Sequence, residues 1–180
     1  MSDDLRNYIK LYGIYTDDWT TVWGGQTFNR HLVKTMINDA CNSTASSAWT
    51  ANGYNFIYPH NIKKKYFLEG VVEGEVGFGK IAASKVSDYR VSIFKLNEDT
   101  TETTLATTGV ISVNDSITAG DVHLYHFWID VYDKKELSDY DRIGVKVEWN
   151  VSHSSTNTAA LYHEVVTSDY DFWVDLPFML

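Results

Sequence analysis

Histidines are the residues of this sequence whose spacing comes closest to that of a metal site. His123 and His126 lie three residues apart in a segment with strand character. On a strand, residues three apart face opposite sides of the sheet, so these two imidazoles cannot converge on one ion. The other histidines have no partner at a metal-binding spacing: His31, His60, His153 and His163. The sequence therefore predicts no metal centre.

Carboxylates form two groups that could carry chemistry. The first could bind calcium, but it lacks the Asp-x-Asp-x-Asp-Gly spacing of the known calcium loop, and we interpret it as a solvated acidic connection. It comprises Asp133, Glu136, Asp139 and Asp141. The second group alternates with apolar residues, which is typical of an exposed sheet face rather than of the acid pair of a glycosidase. It comprises Glu69, Glu73, Glu75 and Glu148.

The nucleophile and cofactor motifs of known enzymes are absent from the sequence. Cys41, the single cysteine, has no recognisable nucleophile context, and no Gly-x-Ser-x-Gly motif is present. The glycines from Gly74 to Gly79 do not match Gly-x-Gly-x-x-Gly, and no helix is expected after them. We therefore predict that the protein is not an enzyme and binds no cofactor.

Composition limits the classes of partner. The 180 residues suffice for one domain with a real core, and the 6 Trp and 12 Tyr can fill that core or form interfaces. A net charge of −9 argues against nucleic-acid binding through phosphates. One cysteine allows no internal disulfide, which suits a reducing compartment. The first residues lack the apolar core of a secretory signal, and no apolar run is long enough to cross a membrane.

The stretch from Tyr125 to Val151 predicts two long antiparallel strands in the middle of a β-sandwich. In the second strand, apolar residues alternate strictly with polar residues or glycine. One face should therefore be buried, while Lys146 and Glu148 on the other face should not be. The predicted buried face comprises Ile143, Val145, Val147, Trp149 and Val151. The first strand is apolar on both faces, so we expect it to be central in the sheet or covered on both sides.

The N-terminal part of the chain differs in character from the rest. Residues 1–60 form an aromatic-rich segment that should pack on the sandwich or on a neighbouring subunit. Thr27 could cap a short helix there, because several apolar residues share a face at helical spacing. These are Phe28, Leu32, Met36, Ile37 and Ala40. Residues 61–180 would be the sandwich, and without a linker between the two parts we predict a single domain overall.

The other strands follow from alternating apolar segments bounded by turn residues. They are predicted at 54–58, 66–76, 89–96, 103–113, 159–166 and 171–176. With these turns at regular spacing, the sequence predicts a mainly β fold. Its architecture would be a jelly-roll-like β-sandwich of about eight antiparallel strands with one short N-terminal helix.

Two parts of the chain resemble a known class of proteins. One is residues 65–76 followed by 88–96, and the other is residues 127–132 followed by 137–149. The latter contains a Leu-x-x-x-Asp-Arg-Ile turn, Leu137 to Ile143, that leads into the alternating strand. Together they resemble jelly-roll β-sandwich proteins from the virions of tailed viruses, including capsid decoration proteins. The resemblance covers residues 65–150 and carries no functional residues to transfer.

The resemblance implies a non-enzymatic viral structural protein, a capsid decoration or cement protein that stabilises the virion through subunit interfaces. It would be located in the virion, assembled in the host cytoplasm, and bind the major capsid protein or other virion subunits. It would form a homo-oligomer, by analogy a trimer, and bind neither nucleic acid nor membrane. Carbohydrate-binding jelly rolls share the strand rhythm. The alternative is therefore a carbohydrate-binding module, or a receptor-binding tail component, that holds a glycan with exposed Trp and Tyr.

Aromatic and apolar residues outside the best strands are the candidates for interfaces. They are Trp19, Trp23, Trp173, Phe178, Met179 and Leu180. Pro177 lacks a backbone N–H and should end the last strand. The apolar residues after it would then lie beyond the sheet, where they pack on the chain's own core or dock on a partner.

Overall fold

The computed structural model describes residues 7–15, 20–23, 26–34, 41–45, 54–60, 62–80, 84–117, 121–152, 159–163 and 172–179. Every element of regular structure in these ranges is a β-strand. In chain order the strands are β1 (Asn7–Tyr15), β2 (Thr21–Trp23), β3 (Gln26–Phe28), β4 (Arg30–Val33), β5 (Cys41–Ala45), β6 (Tyr54–Ile57), β7 (Tyr66–Lys80), β8 (Ser84–Leu96), β9 (Glu102–Thr107), β10 (Ile111–Ile117), β11 (Val122–Leu137), β12 (Arg142–Ser152), β13 (Ala159–His163) and β14 (Trp173–Met179). A helix of membrane-spanning length and hydropathy is not found in the described ranges.

Twelve of these strands form a single sheet, and β2 and β3 form a separate hairpin. The order in the sheet is β10-β8-β12-β6-β4-β1-β14-β7-β13-β5, with β9 beside β8 and β11 beside β7. Among the described strands, the contact between β4 and β6 is parallel and the other pairings are antiparallel. The mainly β fold predicted from the sequence is confirmed, and residues 1–60 contribute β1, β4, β5 and β6 to the sheet.

Strand β7 is paired along both of its edges. One edge pairs with β11, and the other pairs first with β14 and then with β13. At Gly74 a Cβ atom would lie 2.5 Å from the carbonyl oxygen of Trp173 in β14 and would overlap the ring of Phe127 in β11. The missing side chain at this position therefore lets both neighbouring strands approach β7.

The core forms where side chains from one half of the strand order, around β7, meet those from the other half, around β8 and β12. The ring centroid of Phe78 in β7 lies 5.4 Å from that of Trp149 in β12 and 5.8 Å from that of Tyr89 in β8. The Tyr89 hydroxyl donates a hydrogen bond to the carbonyl oxygen of His126 at 3.2 Å, and burial raises the pKa of Tyr89 to about 12. The predicted inward face of β12 is confirmed where its side chains are described: Ile143, Val145, Val147 and Trp149 are buried.

The predicted N-terminal helix is wrong over the residues that the structure describes. Residues 26–28 form β3 and residues 30–33 form β4, while residues 35–40 lie outside the described ranges. β4 pairs with β1 from Arg30 to Val33 and meets β6 at His31. Leu32 is fully buried by these neighbours. Pairing with strands distant in sequence therefore overrides the helical spacing, because strand formation depends on the packing that the sheet offers.

The two strands between Tyr125 and Val151 exist, but they are not neighbours. β11 pairs with β7, and β12 pairs with β8 and β6. The connection at residues 138–141 therefore crosses from one half of the sheet to the other. The structure also has more strands than the eight predicted. The segment 103–113 is divided into β9 and β10 at Gly109, whose φ of 70° does not fit a strand.

The predicted end of the last strand is also wrong. β14 continues through Pro177, which is buried, and Phe178 and Met179 pair with Leu68 and Phe67 of β7. The register of this pairing shifts between Asp175 and Phe178. The position without an N–H group thus falls at an irregularity of the ladder, where a proline is tolerated.

A buried cation, Arg142, joins the hairpin of β2 and β3 to the sheet. Its guanidinium lies 4.2 Å from the ring centroid of Trp23 and donates to the carbonyl oxygen of Pro59. The indole N–H of Trp23 donates to the carbonyl oxygen of Asn97 at 2.8 Å. Burial, together with the positive charge of Arg142, lowers the pKa of the buried His31 to about 4.

The low pKa of His31 makes stability depend on pH. Its ordinary pKa is 6.5, so between pH 6.5 and about 4 the unfolded chain binds a proton that the folded chain does not. The free energy of unfolding should therefore fall as the pH is lowered through this window, by up to about 3 kcal/mol. Urea unfolding of the wild type and of His31→Gln at a series of pH values measures this. Equal pH dependence in both proteins would contradict the assignment.

The close approach at Gly74 predicts a large effect of a single methyl group. Gly74→Ala should lower the free energy of unfolding by about 1–3 kcal/mol, because the neighbouring backbone of β14 would have to move. Glu73→Ala, at the adjacent exposed position, is the matched control and should change stability by no more than about 0.5 kcal/mol. Urea denaturation compares the two, and equal stability of the variants would show that the strands have room for a Cβ.

Candidate functional site

Exposed aromatic side chains are concentrated on one face of the sheet. Five of the eight large apolar side chains exposed in the described part of the chain lie on the solvent side of β11, β7 and β1: Tyr8, Val71, Leu124, Trp128 and Tyr132. Trp128 is 61% exposed and Tyr132 is 83% exposed. We name the solvent side of β11, β7, β14 and β1 the aromatic outer face. Apolar patches of this kind on a folded protein are typical of interaction sites.

The aromatic outer face corrects the expectation that β11 is covered on both sides. Phe127, Ile129 and Val131 point into the core, while the side chains between them face solvent. β11 pairs with β7 alone among the described strands, and its outward face has no layer over it there. The predicted full coverage rested on apolar composition, which does not show whether a second layer exists.

One row of side chains crosses four strands of this face. His126, Glu75, Trp173 and Tyr12 lie opposite one another on β11, β7, β14 and β1. Nε2 of His126 lies 2.9 Å from Oε2 of Glu75, and the imidazole meets the Trp173 ring edge-on with centroids 6.4 Å apart. A histidine paired with a carboxylate is half of a nucleophile-activating arrangement. Within the described ranges, however, no hydroxyl or thiol is hydrogen-bonded to the imidazole of His126; the Tyr89 hydroxyl bonds only its backbone carbonyl oxygen.

A second row places charge beside the aromatic rings. Trp128, Glu73, Asp175 and Lys10 are aligned across the same four strands. Burial and the negative charge of Glu73 raise the pKa of Asp175, while Lys10 opposes them. The ammonium group of Lys10 lies 3.8 Å from the ring centroid of Trp173. The face therefore combines flat aromatic surfaces with several carboxylates and few cations.

A polar cleft lies on the other half of the sheet, on the solvent side of β8, β9 and β12. It encloses about 310 Å³. Nε and Nη2 of Arg90 donate to the two carboxylate oxygens of Glu148 at 2.5 and 2.9 Å, and Lys146 pairs with Glu102. The sequence predicted that Glu148 is not buried, but only 9% of the residue is exposed. Burial is tolerated because the guanidinium satisfies both oxygens. Each carboxylate already has its cation, so the cleft offers no free acid–base pair.

An apolar cavity of about 330 Å³ lies where β1, β14 and the start of β7 meet the segment after β6. Its walls are Ile9, Leu11, Tyr58, Ile62, Tyr66, Ile143 and Phe178, and Lys34, His60 and Lys63 complete the lining. The rings of Tyr66 and Phe178 meet edge-on with centroids 6.2 Å apart.

The acidic connection of the sequence is a series of ion pairs. Glu136 lies 2.8 Å from Lys65, and Asp141 lies 3.3 Å from Lys95. Asp141 also accepts a hydrogen bond from the backbone N–H of Ser138 at 2.9 Å. In the ranges that the structure describes, no three His, Cys, Asp or Glu residues are grouped so that they could hold a metal ion.

The predicted interface residues are dispersed in the structure. Trp23 packs beneath Arg142, Trp173 is half-buried in the aromatic outer face, and Phe178 lines the apolar cavity. Met179 lies opposite Phe67 at the end of β14. Trp19 and Leu180 lie outside the described residues. Contacts between subunits through these residues stay a prediction.

Sequence reasoning missed Trp128 and Tyr132, the most exposed aromatic residues of the outer face. The sequence did indicate their exposure. His126 and Asp130 lie on the same side of the strand as Trp128 and Tyr132, and these polar residues predict that this side is solvent-exposed.

The comparisons with known proteins relate the chain to others by fold alone. No family model matches the sequence, and no curated protein matches it significantly. A CocE/NonD family hydrolase from Staphylococcus aureus superposes with a TM-score of 0.71 at 12% identity, covering 97% of this chain and 37% of that one. An aminopeptidase from a marine sediment Thaumarchaeota archaeon gives 0.67 at 9% identity with the same coverages. An α-amino acid ester hydrolase gives 0.53 at 9% identity, covering 72% of this chain and 26% of that one.

These matches overturn two predictions made from the sequence. The structures that superpose well are hydrolases, so the prediction of a non-enzymatic viral structural protein is wrong, as is the prediction that the chain is not an enzyme. Structures from infectious bursal disease virus also match, but their TM-scores of 0.37 to 0.42 carry no argument. The tailed-virus resemblance rested on a strand-and-turn rhythm, which does not distinguish one β-sandwich from another. This chain spans little more than a third of the length of the hydrolases it matches.

The polar cleft predicts that Arg90 cannot be replaced by another cation. Arg90→Lys keeps the charge but loses the paired hydrogen bonds to Glu148, so the free energy of unfolding should fall by about 1 kcal/mol. Lys146→Arg exchanges cations in the same cleft at a more exposed pair and should cost less than about 0.5 kcal/mol. Chemical denaturation of both variants measures the difference. A fully stable Arg90→Lys protein would show that geometry at this pair is unimportant.

Proposed function

We propose that this chain is the β-sandwich unit of a hydrolase that cleaves ester or amide bonds, working together with a catalytic unit. The observation that carries the proposal is the superposition of 97% of this chain on 37% of each of two hydrolase chains, at TM-scores of 0.71 and 0.67. Derivatives of α-amino acids are the substrate class we favour, because two of the matching proteins are named as an aminopeptidase and an α-amino acid ester hydrolase.

We further propose that the sheet is a jelly-roll-like sandwich. Consecutive long strands alternate between its halves: β7 lies beside β11 and β14, β8 beside β12 and β10, β11 beside β7, and β12 beside β8. Such crossing between layers is characteristic of jelly rolls and other Greek-key sandwiches. The packing of Phe78 in one half against Tyr89 and Trp149 in the other supports this description.

The aromatic outer face is the surface that we assign to the contact with the catalytic unit. Trp and Tyr are enriched in protein interfaces, where they contribute large apolar areas. Trp128 and Tyr132 stand on a strand whose inward side is fixed in the core, so the surface is already formed before the partner arrives. Carboxylates at Glu73 and Asp130 flank these rings and favour a basic partner surface.

Recovery of the tagged chain from the cells that make it tests the proposal. The recovered material should hydrolyse L-alanine p-nitroanilide or an α-amino acid methyl ester, and mass spectrometry should identify a co-purified catalytic chain or a longer form of this chain. Trp128→Ala with Tyr132→Ala should release a separate catalytic chain, or loosen the contact in a longer one, without lowering the melting temperature.

Tyr140→Ala is the control, since Tyr140 is a solvent-facing tyrosine, 59% exposed, that lies in the turn before β12 and away from this face. It should leave both association and hydrolysis unchanged. Recovered material that neither hydrolyses any ester or amide nor contains a second unit would overturn the proposal. If the Tyr140 variant lost association to the same extent, the aromatic outer face could not be assigned as the contact with the catalytic unit.

A further inference from the structure

The apolar cavity has a wall that is fixed by backbone hydrogen bonds. The N–H of Tyr58 donates to the carbonyl oxygen of Ile143 at 2.9 Å, and the N–H of Ile62 donates to that of Asp141 at 3.0 Å. In return, Tyr140 donates its N–H to the carbonyl oxygen of Ile62 at 3.0 Å. The segment that forms this side of the cavity is therefore held on the start of β12 from both ends. This wall is ordered before a ligand binds, so binding loses less conformational entropy.

The interior of the cavity is apolar, and the charged side chains among its described lining residues are two lysines, Lys34 and Lys63. Among its lining residues Leu11 and Ile143 are buried, and the half-buried Tyr66 and Phe178 contact each other edge-on. Lys34 and Lys63 are exposed, and no carboxylate occurs among the described residues that line the cavity. Neither lysine forms an ion pair in the described part of the chain. A cation in this position gains most from a ligand that brings its own negative charge.

The size of the cavity limits the ligand. Liquid water occupies about 30 Å³ per molecule, so 330 Å³ accommodates roughly eleven non-hydrogen atoms. This is at the lower end of the range of ligand pockets in proteins. The cavity therefore fits a medium-chain acyl group or a single substituted ring, and it is too small for a complete phospholipid.

We propose that this cavity binds a small amphipathic carboxylic acid, with the apolar body against Leu11, Ile143 and Phe178 and the carboxylate between Lys34 and Lys63. The lysine stems reach along the apolar rim while their ammonium groups stay in water, where they meet the carboxylate. The site lies apart from the aromatic outer face and does not depend on the hydrolase proposal, because it rests on the shape and charge of the cavity alone.

Titration calorimetry with octanoate, which has ten non-hydrogen atoms, tests the site. Affinity should rise about fourfold for each added methylene from butyrate to octanoate, because each methylene enters the cavity. The neutral 1-octanol should bind at least about tenfold more weakly than octanoate, and octylammonium weaker still. Added salt should weaken octanoate binding and leave octanol binding unchanged.

Three variants locate the binding. Lys34→Gln with Lys63→Gln should weaken octanoate at least about tenfold and leave octanol unchanged, because the charge is lost and most of the stem remains. Lys64→Gln is the matched control, since Lys64 is an exposed lysine beside Lys63 that does not line the cavity, and it should bind octanoate as the wild type does. Ile62→Trp should fill the cavity and abolish binding of both ligands, with an unchanged circular dichroism spectrum as the check on folding.

Three results would each overturn the proposal. The first is no saturable binding of octanoate at concentrations where it stays monomeric. The second is equal binding of octylammonium and octanoate, which would exclude a cationic site. The third is unchanged octanoate affinity in both the double lysine variant and a correctly folded Ile62→Trp protein, which would place the ligand elsewhere.

Discussion

The close packing of β11 and β14 on β7 is the constraint on which most of the structure depends. Gly74 allows it, because a Cβ there would meet the Trp173 backbone on one side and the Phe127 ring on the other. With both edges of β7 paired, its inward residues form one wall of the core, and its outward residues align with those of three other strands. The pairing of these strands therefore positions both the core contact of Phe78, on the inward face of β7, and the row of His126, Glu75 and Trp173 on the outward face.

Much of the strand content could be predicted from the sequence, whereas the pairing of strands could not. The alternation in β12 identified its buried face because burial on one side of a strand imposes a period of two. Neighbours in the sheet are set by contacts distant in sequence. β11 and β12 follow one another in the chain, yet they lie in different halves of the sheet. The helical spacing around Leu32 was misleading for the same reason, since β1 and β6 supplied a sheet edge that a local pattern cannot show.

The exposure of side chains at the candidate sites could not be predicted from residue type. Trp128 and Tyr132 were expected to be covered because their strand is apolar on both faces, but exposure depends on whether another layer lies over the strand. Glu148 was expected to be exposed because it lies on the polar face of the alternating strand, but it is buried in the cleft, where Arg90 binds both of its oxygens. The apolar cavity collects residues from five separate segments of the chain. Its existence depends on tertiary structure, and no local motif could have revealed it.

The position of β14 in the sheet has a consequence for how the chain acquires its fold. β14 follows the thirteen other described strands in sequence, yet it lies in the interior of the sheet, between β1 and β7. Until β14 is inserted, β1 and β7 each present an unpaired edge, and such edges readily pair with other chains. The ribosome must therefore release the sequence through β14 before the sheet can be completed. Pairing between segments so far apart is slow because of the entropy of closing the intervening loop. Aggregation during synthesis, rather than instability of the finished protein, is the hazard that this topology creates.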